Sequence, residues 1–593
     1  AFTFDSRGNM LTNTDPLGIR SEYPYQAGTS WLTEQKVFDG DTLLNRAQYT
    51  YDDRGNLLTS KIAASNPSAF TDVRTTTNEY DSRGLLLETT AWNGKKTVYG
   101  YDKFGRLTSS SDVGDGKTLT TTYAYDGRNN PVSSSVQRGN SAITNQYEYD
   151  DLGYLVHTDY ATGKKEYTKY SPIGYVLSNT LLGYQNNAFV ESLETQYEYD
   201  DTGRVIKIIY PDGSISENLI GATMDESTAT VTTTGADQVI RSAITGGKNP
   251  YGVADASQMY QYQKNGTLGS KAYYDYAGNM VKSVQMYEED GAWKEERPVH
   301  VEYDLVGRAV RQYDEDQLVE SYTDYDVMGN VFRSWTYVQT EDGVRKYTVK
   351  EYSYDLLGRV TEAKEYLSLQ ARGNTPSGES QSTRYTYDIY DAVEGMYYDT
   401  VTDAEGGVTR TYYNQLGQTR REIQYGKTVD ADTDKRIITE WVYDEYARLS
   451  QVKAGANGDS LVVRQSYAYD AYDRVVCETT DSGRYTTYEY DHFGRRKKMT
   501  DHVDGEDIVT SWVYDKNSNV IQMIQDGKPV NYSYNGVGEL VAMQYGNTGS
   551  VRTIAYGYDA MGRPVEVRSA MAGAGTVEPE SLKTVKSYHY GAN

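Results

Sequence analysis

Along most of the chain, apolar or aromatic residues alternate with polar ones, and aspartate and glycine break the alternation at short intervals. The clearest stretch is Tyr99–Leu107, YGYDKFGRL. Tyr99 and Tyr101 stand two residues apart, so in an extended strand both point to one face. Asp102 followed three residues later by Gly105 is the residue choice of a type I turn. The Asp side chain caps the turn backbone, and Gly accepts the positive φ that reverses the chain with a bulge. Lys95–Tyr101 and Arg106–Ser111 then read as strands of about 20 Å, at roughly 3.3 Å per residue.

The same stretch recurs at Tyr49–Leu57, Tyr147–Leu155, Tyr197–Val205, Tyr352–Val360, Tyr488–Arg496 and Tyr556–Pro564. The candidate site residues are therefore structural ones, the tyrosine, aspartate and glycine of each turn. They are Tyr51, Asp52 and Gly55; Tyr101, Asp102 and Gly105; Tyr149, Asp150 and Gly153; Tyr199, Asp200 and Gly203; Tyr354, Asp355 and Gly358; Tyr490, Asp491 and Gly494; and Tyr558, Asp559 and Gly562. Looser copies replace the glycine by Asn129, Asp473, Ser518 or Ala447. Asn is the next best residue for positive φ. With these, copies number roughly twenty at ~20–30 residue spacing, which signals a repeat architecture.

Between copies lie Asn-Gly or Asp-Gly pairs at 93–94, 115–116, 212–213, 290–291, 342–343, 457–458, 504–505 and 526–527. Such pairs favour the two-residue type I′ hairpin. One repeat is then two strands and two turns, and the chain is expected to be an all-β, continuous antiparallel meander. Residues 10–48 look irregular, and 211–269 is a degenerate low-Tyr stretch within a single repeat region spanning 1–593. Ser368–Thr383 reads as a surface loop on composition. Both ends cut through copies, at Phe2–Asn9 and Tyr588–Gly591, so the chain reads as an internal piece of a longer polypeptide.

Composition sharpens this picture. Sixty of the 593 residues are Tyr, against 8 Phe and 6 Trp. A Tyr ring packs while its hydroxyl reaches water or a partner, which suits a sheet wet on at least one side. A mean hydropathy of -0.72 fits a thin wall better than one thick core. The net charge of -25 argues against nucleic acid, which requires a basic face. A lone cysteine, Cys477, excludes a disulfide framework within the chain, and no apolar run reaches the length of a membrane span.

The YxYDxxGRL pattern closely resembles the YD or RHS repeats of bacterial Rhs proteins, the BC components of Tc toxin complexes, wall-associated contact-dependent toxins and the teneurins. The resemblance covers nearly the whole chain. It implies a continuous strand meander wound as a spiral around a hollow shell, and a secreted or bacterial cell-surface location. In the bacterial members it further implies an enclosed, toxic C-terminal polypeptide as cargo and flanking shell sequence as partner. Those relatives also carry a C-terminal core rich in Asp-Pro-x-Gly where an aspartyl self-cleavage occurs. Here Asp15-Pro16-Leu17-Gly18 stands at the opposite end, so that activity is not carried over.

Other chemistry finds little support in the sequence. His157, His300, His492, His502 and His589 are scattered without metal-ligand spacing. Asp430-Ala-Asp432-Thr-Asp434 imitates a calcium loop but has Lys435 at the sixth position, where glycine is needed. No cofactor is expected. Container wall is the leading functional reading. A surface adhesion module that binds glycans or proteins through exposed tyrosines is the second, and an enzyme the last.

Overall fold

The computed structural model describes residues 1–588 except 65, 72, 186–187, 202, 214, 218–246, 249–253, 256–258, 266–267, 275–278, 290–291, 316, 427–435, 457–459, 535–538, 548–549, 559–562 and 573–581. Among the described residues the chain forms 48 β-strands and no helix. Strands adjacent in sequence are adjacent in the sheet. Phe2 to Glu217 gives a 19-stranded sheet, Met259 to Ser587 a 27-stranded one, and Gly247–Lys248 pairs with Ala254–Asp255 as a separate hairpin. Most of the low-tyrosine stretch, the calcium-like loop, and the turn residues Asp559 and Gly562 lie outside the described residues.

The repeat turn forms as its residues dictate. The Gly105 amide donates to the Asp102 carbonyl at 3.1 Å, and the Asp102 amide to the Arg106 carbonyl at 3.0 Å. Gly105, Gly153, Gly358 and Gly494 have φ of 83°, 85°, 78° and 84°. The substitutes Asn129, Asp473, Ser518 and Ala447 adopt the same left-handed conformation, at 71°, 65°, 68° and 60°. After each turn the register slips by one. Tyr101 pairs with Leu107, whereas Gly100 pairs with Ser109, so Thr108 is an extra residue in a bulge.

The second class of turns divides in two. Asp115-Gly116, Asp342-Gly343, Asp504-Gly505 and Asp526-Gly527 have positive φ at both residues, as type I′ requires. Asn93-Gly94 and Asp212-Gly213 do not form that turn. There the glycine amide donates back three residues, Gly94 to Ala91 and Gly213 to Tyr210, as in the repeat turn itself. Loop length decides between them. Gly114 pairs with Lys117 across two residues, whereas Thr90 pairs with Lys96 across five. The pairs at 290–291 and 457–458 lie outside the described residues.

Two further expectations are corrected. Residues 10–48 contain the strands Met10–Thr14, Ile19–Glu22, Glu34–Asp39 and Thr42–Tyr51. The Asp15–Gly18 turn closes without a tyrosine pair, because Asp15 Oδ1 still accepts from the Leu17 and Ile19 amides at 2.9 Å. Within Ser368–Thr383, Gln370–Ala371 pairs with Lys346 and Tyr347, and Ser380–Asp391 is strand. That excursion also sends Arg372 over the Tyr322 ring at 3.9 Å and to Asp324 Oδ1 at 3.0 Å.

The sheets carry little deeply buried apolar side chain. In Val205–Ile209 all five residues are half-buried, so neither face is sealed. The chief exception is the cluster of Trp335, Tyr347, Val349 and Tyr366. It packs around the Glu320 carboxylate, which accepts from the Tyr347 hydroxyl at 2.7 Å, Tyr322 at 3.0 Å and Arg311 Nη2 at 2.6 Å. Burial would raise the Glu320 pKa, but these bonds and the charge of Arg345 hold it below the usual value.

The turn geometry generates a paired prediction. Ala447→Gly should stabilise the protein by about 0.5–1 kcal/mol, because Ala447 bears the strain of a left-handed backbone. Gly105→Ala should destabilise by about 1 kcal/mol for the converse reason. Hydrogen exchange at the amides flanking each turn reads both, and equal protection in all three proteins would contradict the account.

Candidate functional site

Each letter of the repeat has a physical task, and together they bond a repeat to its neighbours. Asp102 Oδ1 accepts from the Phe104 amide at 2.8 Å and the Arg106 amide at 3.0 Å, and Oδ2 from Arg106 Nε at 2.7 Å. The arrangement recurs at Asp355 with Arg359, at Asp491 with Arg495 and at Asp200 with Arg204. Where Asn replaces Arg, as at Asn56, its Nδ2 donates to Asp52 Oδ2 at 2.8 Å. Asp150 takes only the backbone donors, Leu152 and Tyr154.

The arginine also reaches forward. The Arg106 guanidinium lies 5.0 Å from the Tyr125 ring centroid, and its Nη1 donates to the Asp126 carbonyl at 2.9 Å. Arg448 does the same to Tyr469 and Asp470, and Arg495 to Tyr514 and Asp515. This role is not evident from the sequence. Its only trace there is the Arg or Asn that follows the turn glycine.

The second tyrosine reaches back. Tyr101 donates its hydroxyl to the Leu86 carbonyl at 2.9 Å, beside the preceding repeat's bulge, where the ladder is interrupted. Tyr199, Tyr354, Tyr490 and Tyr558 make the equivalent bond to Val176, Val331, Val475 and Leu540 at 2.6–2.9 Å. Burial raises the pKa of Tyr101, Tyr199, Tyr354 and Tyr558. Tyr51 instead stacks on Trp31, with centroids 5.9 Å apart.

The chain packs as two compact units, and a lateral seam runs within each. One unit comprises Ala1–Ile143, Tyr303–Arg311 and Glu320–Asp473. There the repeat turns of the later stretch meet the opposite edge of the earlier one. Asn45 Nδ2 donates to the Leu356 carbonyl at 3.3 Å, Arg74 pairs with Asp388 at 2.8 Å, and the Asp115 amide donates to Gln415 at 2.9 Å. The Gly139 amide donates to the Tyr446 hydroxyl, and Arg138 pairs with Asp473 at 2.8 Å. Partners in these hydrogen bonds and ion pairs lie 300 to 335 residues apart.

The second unit comprises Thr144–Glu302, Gln312–Val319 and Arg474–Asn593. Asn517 donates to Asp212 at 2.5 Å across 305 residues, and His492 Nε2 stands 3.5 Å from Glu191 Oε2. Gly183 permits that approach, since a Cβ there would run into the His492 ring. The unit also holds an open cleft of about 530 Å3 lined by Tyr160, Tyr170, Tyr197 and Tyr199. Two of its hydroxyls are already engaged, Tyr160 with Glu166 and Tyr199 with Val176. Among the described residues no group of three or more His, Cys, Asp or Glu is placed to hold a metal ion.

Two predictions follow from this geometry. Tyr101→Phe should cost about 1 kcal/mol by leaving the Leu86 carbonyl without its donor, seen as faster hydrogen exchange in both flanking repeats. The second concerns acid. Burial acts to raise the Asp102 pKa, but bonds from the Arg106 amide and side chain and the Phe104 amide pull it below the ordinary carboxylate value. Asp52 is lowered chiefly by the Asn56 side chain. The stabilisation from such depressed groups is complete above the unfolded value of about 3.9 and is lost as pH falls through the folded values. Turn amides should therefore lose protection below about pH 4 relative to unfolded-chain rates, and unchanged protection there would refute the capping role.

Comparison with known proteins agrees with this geometry. Residues 80–118 match the RHS Repeat family model. The chain is 27% identical over 195 residues to the tRNA3(Ser)-specific nuclease WapA of Bacillus spizizenii, covering 31% of this chain and 8% of that protein. It is 28% identical over 229 residues to the probable deoxyribonuclease RhsA of Dickeya dadantii, covering 38% and 15%. The chain thus spans a small part of either relative. In fold it resembles the crystal structure of TcdB2-TccC3-TEV, with a TM-score of 0.52 and 12% identity over 95% of this chain and 36% of that one. The matched segment is thus an RHS repeat, and its turn recurs along the described residues of an all-β meander.

Proposed function

We propose that this chain is wall material for a container, wound as a spiral around a hollow space that encloses a C-terminal, toxic polypeptide until delivery. The observation that carries the reading is the seam. In each unit, a ribbon one sheet thick returns beside itself at an offset of about 300 residues, edge against edge. A ribbon that repeatedly meets its own edge makes a continuous wall without needing an apolar interior. The half-buried character of both sheet faces supports the same reading. So do the curated relatives, whose names describe nucleases and of whose length the chain covers only 8% and 15%.

The mechanism is physical exclusion. The wall separates its cargo from solvent, proteases and the producing cell, and flanking repeat sequence completes it. Secretion or display at a bacterial surface accords with this task. An adhesion module that uses tyrosines for glycans is the other reading. It is weakened because five of the consensus tyrosines hold a neighbouring backbone carbonyl through their hydroxyls.

Limited proteolysis of the full-length protein tests the proposal. The domain that follows the repeats should resist cleavage in the intact protein and be cut rapidly once the wall is unfolded or the domain is expressed alone. Equal cleavage rates in both contexts would exclude a container. Tight binding on a glycan array, lost when exposed tyrosines such as Tyr390 and Tyr485 are replaced by alanine, would favour adhesion instead.

A further inference from the structure

The cleft of about 530 Å3 in the second unit lacks the cations that the repeat supplies in other places. In other repeats the arginine after the turn glycine covers the next tyrosine ring, as Arg106 covers Tyr125 and Arg448 covers Tyr469. The two turns beside the cleft carry Tyr154 and Tyr175 at that position. These stack on Tyr170 and Tyr199, with ring centroids 5.0 and 4.9 Å apart. No lysine or arginine is among the residues that line the cleft.

Glu166 is the one carboxylate in that lining. It accepts from the Tyr160 hydroxyl and from Asn179 Nδ2, both at 2.5 Å. Both donors are neutral. Burial and the bond to Glu166 push the Tyr160 pKa up to about 12, so its hydroxyl keeps its proton. The lysines next in sequence are engaged outside the lining. Lys165 pairs with Asp159 at 2.8 Å, and Lys164 lies 4.1 Å from the Tyr160 ring centroid. A carboxylate oxygen has two lone pairs, so each oxygen of Glu166 keeps room for another donor. Asn179 spends its donors on Glu166 and on Thr168 Oγ1, and its Oδ1 accepts no bond among the described residues. The cleft therefore offers spare acceptors and a charge without a counter-ion. Tyr170, Tyr197, Leu155, Val176 and Val205 make the rest of its wall aromatic or aliphatic.

We propose that this cleft binds a guanidinium group on an aliphatic stem, as in an arginine side chain, with the charge against Glu166 and the stem along the rings and aliphatic groups. A guanidinium has five donors, no acceptor and a weakly hydrated plane that lies well against aromatic rings, which matches what the cleft leaves unsatisfied. The protein already seats guanidinium groups in this way: Arg106 Nε donates to Asp102 Oδ2 at 2.7 Å while its plane lies 5.0 Å from the Tyr125 centroid. A saccharide would bring as many acceptors as donors and leave the charge unpaired, and an anion would be repelled. The volume lies within the ~300–1,000 Å3 usual for small-ligand sites. The inference goes beyond the container reading, because it holds equally for an arginine of a polypeptide and for a free guanidinium compound.

Calorimetric titration of the full chain with N-acetyl-arginine amide, at about 0.05 M salt, tests it. Saturable binding with a Kd on the order of 1 mM is expected for a ligand of this size. N-acetyl-citrulline amide has the same shape without the charge and should bind at least tenfold more weakly. Glu166→Gln should weaken binding of the arginine amide at least tenfold. The net charge of -25 attracts any cation, but that general attraction would survive a change of one unit, so the variant isolates the cleft. Asn179→Ala should weaken binding as well. Circular dichroism with thermal melting confirms that each variant is folded, and if Glu166→Gln is not, Asn179→Ala and the citrulline comparison decide the matter. A blocked Gly-Arg-Gly tripeptide that binds at least tenfold more tightly than the amide identifies a polypeptide as the source of the group, and equal affinity identifies a free guanidinium compound. Absence of saturable binding up to about 20 mM would overturn the proposal. So would equal affinity for citrulline, unchanged affinity in the folded variants, or binding of methyl glucoside that survives Glu166→Gln.

Discussion

The carboxylate at the head of each turn is the interaction on which the rest depends. Asp102 holds two backbone amides and the Arg106 Nε at once. Aspartate suits this because its short side chain reaches the amides two and four residues on without leaving the turn. By fixing the arginine's Nε, the carboxylate also aims its other face at the next repeat. There it lies over Tyr125 and donates to the Asp126 carbonyl. The tyrosine hydroxyl bonds in the reverse direction, to the repeat before. Each such turn is thereby bonded in both directions, and the array is stabilised by nearest neighbours rather than by a common core.

Much of this was legible in the sequence, because turn chemistry is local. The Asp-to-Gly spacing identified the turn, and Asn129 was recognisable as a substitute suited to its left-handed backbone, whereas only the structure shows that Asp473, Ser518 and Ala447 adopt it too. What escaped depends on distance or on chain length between pairings. Asn93-Gly94 carries the residues of a two-residue hairpin, yet the strands around it pair with five residues between them, which no local pattern states. The forward reach of the arginine needs the next repeat to be placed beside it. Residues 10–48 form strands without the tyrosine pair, because the Asp15 turn closes on its own capping bonds. The seam was invisible for a different reason: partners about 300 residues apart share no motif.

The Glu320 cluster shows what the thin wall otherwise lacks. There Tyr347, Tyr322 and Arg311 satisfy a buried carboxylate while Trp335 and Val349 are sealed from water. The Gln370–Ala371 excursion pairs within the sheet with Lys346 and Tyr347 and brings Arg372 over Tyr322 and to Asp324. Elsewhere a ring with one polar end is the better choice, since both faces stay partly wet. That explains the predominance of Tyr over Phe more economically than a binding function for sixty rings.

The repeat divides its positions between two tasks. The aspartate, glycine and tyrosine build the turn and its bonds to neighbours, so they are nearly constant along the chain. The residues between aspartate and glycine have no such duty, and several of them reach the seam, alongside Asp388 and Asp473. Gln415, Tyr446 and His492 occupy these positions and meet an Asp115 amide, a Gly139 amide and a Glu191 carboxylate. Different chemistry at equivalent positions gives each turn its own partner. A seam of identical contacts would be satisfied equally well after slipping by one repeat, whereas these contacts would then place unmatched groups together. The variable residues therefore set the register of one ribbon on another while the constant ones set the ribbon itself, and the two can change independently.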